Sequence, residues 1–157
     1  MRLERLDLTK RDVASSVLEL QRRAYRMEAE LIGSDQIPPL RETLEELQAS
    51  RETFLGAYVD RTLSGAISWR VTSGVLDLHR LVVDPTRLRA GIGTALVRAA
   101  LAAEPEARRA IVQTGASNEP AKRLYRREGF VEIGDVEVLP GLWVTRFDKL
   151  LDDVERP

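Results

Sequence analysis

The chain has 157 residues, the size of one ordinary domain, and holds 24 Lys+Arg against 25 Asp+Glu with no cysteine. That balance leaves no global basic field to attract nucleic acid or an anionic membrane. The missing thiols rule out disulfides, a cysteine nucleophile and thiolate metal sites. No apolar run approaches the ~18–20 residues of a membrane span, and the charged opening MRLERLDLTKRD lacks the apolar core of a signal peptide. The expectation is a cytoplasmic protein with a single domain over residues 1–157, no nucleic-acid or membrane partner and no metal site.

Leu3, Leu6 and Leu8 sketch a first strand, and Thr9 followed by Asp12 predicts a capped helix from about residue 10, with Val13, Val17, Leu20 and Ala24 at helical spacing. The pattern weakens through EAELIGSDQIPPL, where Gly33, Pro38 and Pro39 interrupt it, before a short second helix in RETLEELQAS. The period then changes. ETFLGAYVD and TLSGAISWRV read as strands joined by a tight turn at Asp60-Arg61, and Ser73-Gly74 turns the chain into a third strand, VLDLHRLVV. A helix follows from Gly91, with Ile92, Leu96, Ala99 and Ala103 expected on one face. AIVQT is a short strand, and a helix is expected over Asn118 to Glu128, stopped by Gly129. FVEIGDVEV and LWVTRFDKL are the last two strands. The order β-α-α-β-β-β-α-β-α-β-β predicts an α/β (α+β) mixed sheet with helices on its faces and one crossover unit around the third helix.

Within that order, RLRAGIGTAL (residues 87–96) lies after a strand and opens a helix. A dinucleotide fingerprint needs a third glycine where Leu96 stands, and a triphosphate loop needs a lysine after its last glycine. Both are absent. What remains is a general anion site, with N–H groups from Arg89 to Thr94 backed by the helix dipole, or a plain loop before a helix.

The segment LHRLVVDPTRLRAGIGTALV, followed after a strand by NEPAKRLYRREGF, resembles the GNAT superfamily of acyl-CoA-dependent N-acetyltransferases. The first part is similar to that family's strand, D-P and R-x-x-G-x-G loop; the second is similar to its N-x-x-A-x-x-L-Y-x-x-x-G-F helix. The resemblance implies a GNAT-like fold and acetyl-CoA as cofactor. The pantetheine arm would pair with the backbone at Leu81, Val82 and Val83. The pyrophosphate would rest on Leu88, Arg89, Ala90, Gly91, Ile92, Gly93 and Thr94. Leu88 stands where the family carries Arg or Gln, with arginines at 87 and 89 beside it. Asn118 and Tyr125, seven residues apart, could share one side of their helix about 10 Å apart, one for the pantetheine and one near the sulfur.

The implied reaction moves an acetyl group to a primary amine by direct attack in a ternary complex. By family analogy Tyr125 is the general acid; taken alone it is a core tyrosine of an amphipathic helix. Strand alternation places Asp77, His79, Leu81 and Val83 on one face. The resemblance implies Asp77 as the base, acting through a water, since many relatives carry a catalytic acidic residue at that strand position; His79, the one histidine of the chain, is the other candidate by its intrinsic pKa of ~6.5. N–H groups near Leu81–Val83 are expected to face the carbonyl oxygen. Tyr25, Glu28, Glu30 and Asp35 lie where relatives carry the acceptor rim, and these carboxylates would favour a cationic amine, small-molecule or peptide; read plainly, they are a solvated helix face. Many relatives of the fold dimerise, which makes a second copy of the chain a candidate partner. A non-catalytic acyl-CoA-binding module and a protein-interaction domain on the same fold are the alternatives.

Overall fold

The structure, a computed structural model, describes residues 1–32 and 42–151. The elements are β1 (Arg2–Arg5), α1 (Arg11–Ile32), α2 (Leu44–Gln48), β2 (Thr53–Val59), β3 (Thr62–Thr72), β4 (Val75–Val83), α3 (Ile92–Ala103), β5 (Arg109–Gly115), α4 (Glu119–Arg127), β6 (Val131–Leu139) and β7 (Leu142–Leu150). The element order is the one expected, with a 3-10 turn, Pro85–Arg87, added before α3.

One seven-stranded sheet runs β1-β2-β3-β4-β5-β7-β6. Its first half is a meander set by two tight turns. Asp60 and Arg61 hold φ of 51° and 66°, and Ser73 and Gly74 hold 50° and 80°. Turns with two positive φ values match the right-handed twist of the strands they join, so Val59 pairs with Thr62 and Thr72 with Val75. The β4–β5 pair is parallel and the other pairs are antiparallel. The last strand, β7, inserts between β5 and β6.

Two apolar layers cover the sheet. On one face α3 and α4 pack Ile92, Leu96, Val97, Ala100 and Tyr125 against Ile67, Trp69, Leu76, Leu78, Val112 and Phe147. On the other, α1 and α2 pack Val17, Leu20, Tyr25 and Leu47 against Phe54, Ala66 and Val82. α2 carries a complete capping box between Thr43 and Glu46.

Several local expectations need correction. β1 ends at Arg5, so Leu6 and Leu8 follow it. Thr9 does not cap α1; its N–H and hydroxyl both donate to Asp7 Oδ1, at 3.0 and 2.6 Å, and spend its side chain on a turn. Ala103 is exposed, and α3 buries Val97 and Ala100 beside Ile92 and Leu96, because its contact with the sheet is wider than one line of residues. Asn118 stands before α4 as its N-cap and not within it.

Candidate active site

The site begins with an irregularity in β4. Ser68 pairs with Arg80 and the next residue, Trp69, pairs with Leu78, so His79 is an extra residue with no counterpart on β3. Such a bulge flips the face that later side chains take. Leu76 and Leu78 join the α3 layer, and so do Leu81 and Val83, while Val82 joins the α1 layer. The expected single row Asp77, His79, Leu81, Val83 is therefore broken: strict alternation fails at His79.

The bulge coincides with the end of parallel pairing. β4 and β5 are in register only from Val75↔Arg109 to Leu78↔Val112, although both strands continue. β5 stays with β7 through Gly115↔Val144, and β4 stays with β3 through Val83↔Gly65. Beyond Leu78 the two strands part. A cleft of about 550 Å³ lies there, lined by Asp77, His79, Ile111, Gln113, Ile133 and Arg146 among others.

Asp77 and His79 meet at this cleft. His79 Nε2 lies 3.3 Å from Asp77 Oδ2, and Nδ1 lies 3.1 Å from Glu52 Oε2. The hydrogen bond to Glu52 raises the His79 pKa above its ordinary value; burial opposes this, and the charges of Glu52 and Asp77 add to the rise. Once protonated, the ring donates to a carboxylate on each side. Burial alone would raise the pKa of Glu52, but hydrogen bonds from His79, Arg80 and Ser68 outweigh it and lower the carboxyl to about 2.

Behind Glu52 stands Arg80. Its Nε donates to Glu52 Oε1 at 2.8 Å, its Nη2 to Glu42 Oε2 at 2.9 Å and its Nη1 to Gln21 Oε1 at 2.9 Å. Burial works against its charge, yet the two carboxylates hold the guanidinium more firmly protonated than usual. No buried side-chain polar atom among the described residues lacks a partner. Sequence reasoning missed Glu52, Arg80, Glu42 and Gln21. The one available signal was an arginine inside an apolar strand, which needs buried partners.

At the end of β4 the chain turns through Pro85–Arg87 into α3. Gly91 is the N-cap of α3 with φ 79°, and no side chain caps the helix. The first-turn N–H groups of Ile92, Gly93 and Thr94 thus have no intrahelical acceptor. The two glycines serve different ends. Gly91 supplies the left-handed conformation, and a Cβ there would meet nothing within 4 Å. Gly93 instead lets α4 approach: a Cβ would lie 3.0 Å from Leu124 Cδ1. Leu88, Arg89 and Ala90 are exposed along the loop, and Arg89 also has positive φ, 69°.

Of the two residues expected on one side of this helix, Asn118 is the N-cap of α4 and Tyr125 lies within it. Asn118 Oδ1 accepts from the Ala121 N–H at 3.3 Å, and its Nδ2 reaches Thr114 Oγ1 at 3.5 Å, tying α4 to β5. Tyr125 is buried, with ring centroids 5.6 Å from both Phe130 and Phe147. Of the expected acceptor rim, Tyr25 is a core residue under α1 and Glu30 is exposed. Asp35 lies outside the described residues, as does the side chain of Glu28.

The arrangement suits a long cofactor with an extended arm and an anionic end. β4 beyond Leu78 has no strand on its β5 side, so its outward backbone groups can pair with an added extended chain. That edge leads to the uncapped N–H groups of α3, where a phosphate is favoured.

A bulged strand parting from its parallel neighbour and running into an uncapped helix, inside this strand order, is the framework of an acyltransferase. Residues 14–130 match the model of the acetyltransferase (GNAT) family, and the chain belongs to it. The family uses acetyl-CoA. The UPF0157 protein YqkA of Bacillus subtilis (strain 168) is 37% identical over 135 residues, covering 86% of this chain and 39% of that protein. This chain therefore matches well under half the length of that relative. Among solved structures, the PaiA N-acetyltransferase of Thermoplasma acidophilum in complex with coenzyme A aligns with a TM-score of 0.76 at 21% identity, over 96% of this chain and 99% of that one. The ribosomal-protein-S18-alanine N-acetyltransferase of Escherichia coli aligns with a TM-score of 0.75 at 16% identity, over 96% and 94%. At these identities the two structures share the fold. Among the described residues, no helix is long and apolar enough to cross a membrane.

Proposed function

We propose that the protein is an N-acetyltransferase that moves an acetyl group from acetyl-CoA to a primary amine by direct attack in a ternary complex. The observation that carries this reading is the parting of β4 and β5 at His79, which opens a cleft beside Asp77 and frees the edge of β4. The backbone of Leu81, Val82 and Val83 would hold the pantetheine arm, and residues 88–94 the pyrophosphate, with backbone donors serving where Leu88 has no polar side chain to offer. The bound cofactor supplies an acetyl thioester.

Asp77 is the exposed end of the carboxylate–imidazole–carboxylate row and takes the role of base, through a water, for the proton an ammonium must shed before its nitrogen can attack. His79, held by Glu52, positions Asp77 and offsets its charge. Tyr125 is the proton donor to the departing thiolate; an ordinary tyrosine, with pKa ~10, keeps its proton at neutral pH. Asn118, as the cap of α4, fixes the helix that carries Tyr125. A chain without cysteine suits a reducing cytoplasm.

Acetyl-CoA at 100 times its Kd should stabilise the fold by about 2.7 kcal/mol, given one site and no binding to the unfolded chain. Thermal unfolding with and without acetyl-CoA measures this, and no shift at millimolar concentration rejects the reading. A screen of amine acceptors with free-thiol detection then tests transfer.

A further inference from the structure

The cleft between β4 and β5 carries charge of both signs, and its positive end is not committed. On the sheet face that holds Asp77, the register runs Asp77↔Ile111↔Asp148, and two residues further on Gln113↔Arg146. Arg109, also on this face, is already held: its Nε donates to Asp148 Oδ2 at 2.7 Å. His79 is held between Glu52 and Asp77. Arg146 differs from both. Its side chain lines the cleft, and among the described residues no carboxylate or hydrogen-bond acceptor takes its guanidinium. Gln113, its partner in the register, also lines the cleft with no hydrogen bond to its amide among the described residues.

Asp77 and Arg146 are two strands and two residues apart, which puts their Cα atoms roughly 12 Å from each other. Ile111 lies on the strand between them, and Ile133 adds an apolar wall. An ammonium is drawn to the Asp77 end. A guanidinium with its fork free matches the planar, bidentate geometry of a carboxylate. A molecule with charges of both signs fits this pattern, whereas a polyamine would set a second cation against Arg146.

We infer that the acceptor taken by this cleft carries a carboxylate as well as its amine, and that Arg146, with Gln113 beside it, receives that carboxylate. This rests on the acetyltransferase reading above and deepens it: the acceptor is an amino acid or another amino carboxylate, and not the purely cationic amine suggested by the acidic residues of α1. Arg146 is a specificity residue. It has no part in the proton transfers assigned to Asp77 and Tyr125.

The test compares amino carboxylates of graded chain length with their carboxamides, under saturating acetyl-CoA, in the wild-type protein and in Arg146→Ala. The side chain is exposed, so the variant should fold. The expected result is acetylation of at least one carboxylate with a KM about 10- to 100-fold below that of its carboxamide, the range set by one charge-assisted hydrogen-bonded pair. Arg146→Ala should remove that difference by raising KM for the carboxylate, with little change in kcat and none for the carboxamide. Calorimetric titration of the preferred acceptor into the coenzyme A-bound protein should show the same loss without turnover. Equal use of carboxylate and carboxamide, or an equal effect of the variant on both, overturns the inference and leaves the transferase reading standing. Acetylation of neither series by a protein that binds coenzyme A also overturns the inference, and the transferase reading falls with it only when the wider screen of amine acceptors releases no free thiol.

Discussion

Both faces of the sheet carry an apolar layer, but the face toward α1 adds a buried network of charged groups, and β4 contributes to both. Toward α3 and α4 it offers Leu76, Leu78, Leu81 and Val83 to an apolar layer with Trp69, Tyr125 and Phe147. Toward α1 it offers Asp77, His79 and Arg80, linked through Glu52, Glu42 and Gln21. The apolar face gains stability from burial that needs no exact partner. The polar face must satisfy every group it buries, and it does so with hydrogen bonds between charged groups. A single extra residue, His79, shifts the alternation, so that Leu76 and Leu78 before it and Leu81 and Val83 after it face the same layer. The difference teaches where function can be placed: the packed face holds the frame still, and the polar face presents charge to the cleft.

Four changes would break or sharpen this contrast. The largest effect is expected from a polar group that the α3–α4 face contributes. Tyr125→Phe keeps the aromatic contacts with Phe130 and Phe147 and should slow acetyl transfer by about 10²- to 10⁴-fold, as loss of a general acid does. Unfolding and cofactor binding should stay close to wild type. Steady-state kinetics with full activity would remove Tyr125 from the mechanism and return it to the core.

On the polar face, Arg80→Met leaves Glu42 and Glu52 without their cation. Breaking a buried pair from one side costs about 3–5 kcal/mol, read as a lower midpoint in urea. A loss below about 1 kcal/mol, the range of exposed pairs, would mean that the network is surface chemistry and that the contrast between the faces is false.

The third change is pH. Glu52 sits at about 2 in the folded protein against an ordinary 4.5. A lowered carboxyl stabilises the fold fully above about pH 4.5, and that contribution is lost as pH falls toward 2. It amounts to at most about 3 kcal/mol. His79 has the opposite sign. Its raised pKa contributes fully below its ordinary 6.5 and the contribution fades as pH rises through the folded value. Unfolding free energy measured against pH should therefore fall on the acid side, and Glu52→Gln should flatten that limb. An unchanged acid limb in Glu52→Gln would show that the carboxyl is not held by its neighbours.

The smallest effect belongs to the loop. Gly91→Ala forces a side chain into left-handed backbone and should cost about 1–2 kcal/mol, seen as a modest drop in thermal midpoint. A neutral result would mean that the turn into α3 relaxes.

Much of the frame was legible because local rules carry it. Asp60-Arg61 and Ser73-Gly74 mark hairpins by turn chemistry, and the strand and helix periods located all the main elements. RLRAGIG and N-x-x-A-x-x-L-Y-x-x-x-G-F pointed to the family by spacing that survives without a structure. Asp77 came from the resemblance to the family and His79 from its intrinsic pKa; the two do meet at the cleft, by a bulge that strand alternation did not contain. Glu52 stayed hidden because it lies 27 residues from His79, and nothing local distinguishes it from any charge at a strand end.

The sequence by itself therefore determined the element order, the hairpins, the family motifs and the apolar stripes, since each depends on neighbours a few residues away. Tertiary structure alone decided four things: the bulge at His79, the insertion of β7 between β5 and β6, the burial of Glu52 between His79 and Arg80, and a guanidinium at Arg146 that no acceptor takes among the described residues. Each of these is a pairing between distant segments. Register, burial and charge partnership arise only when strands meet, and no residue carries them before the sheet has formed.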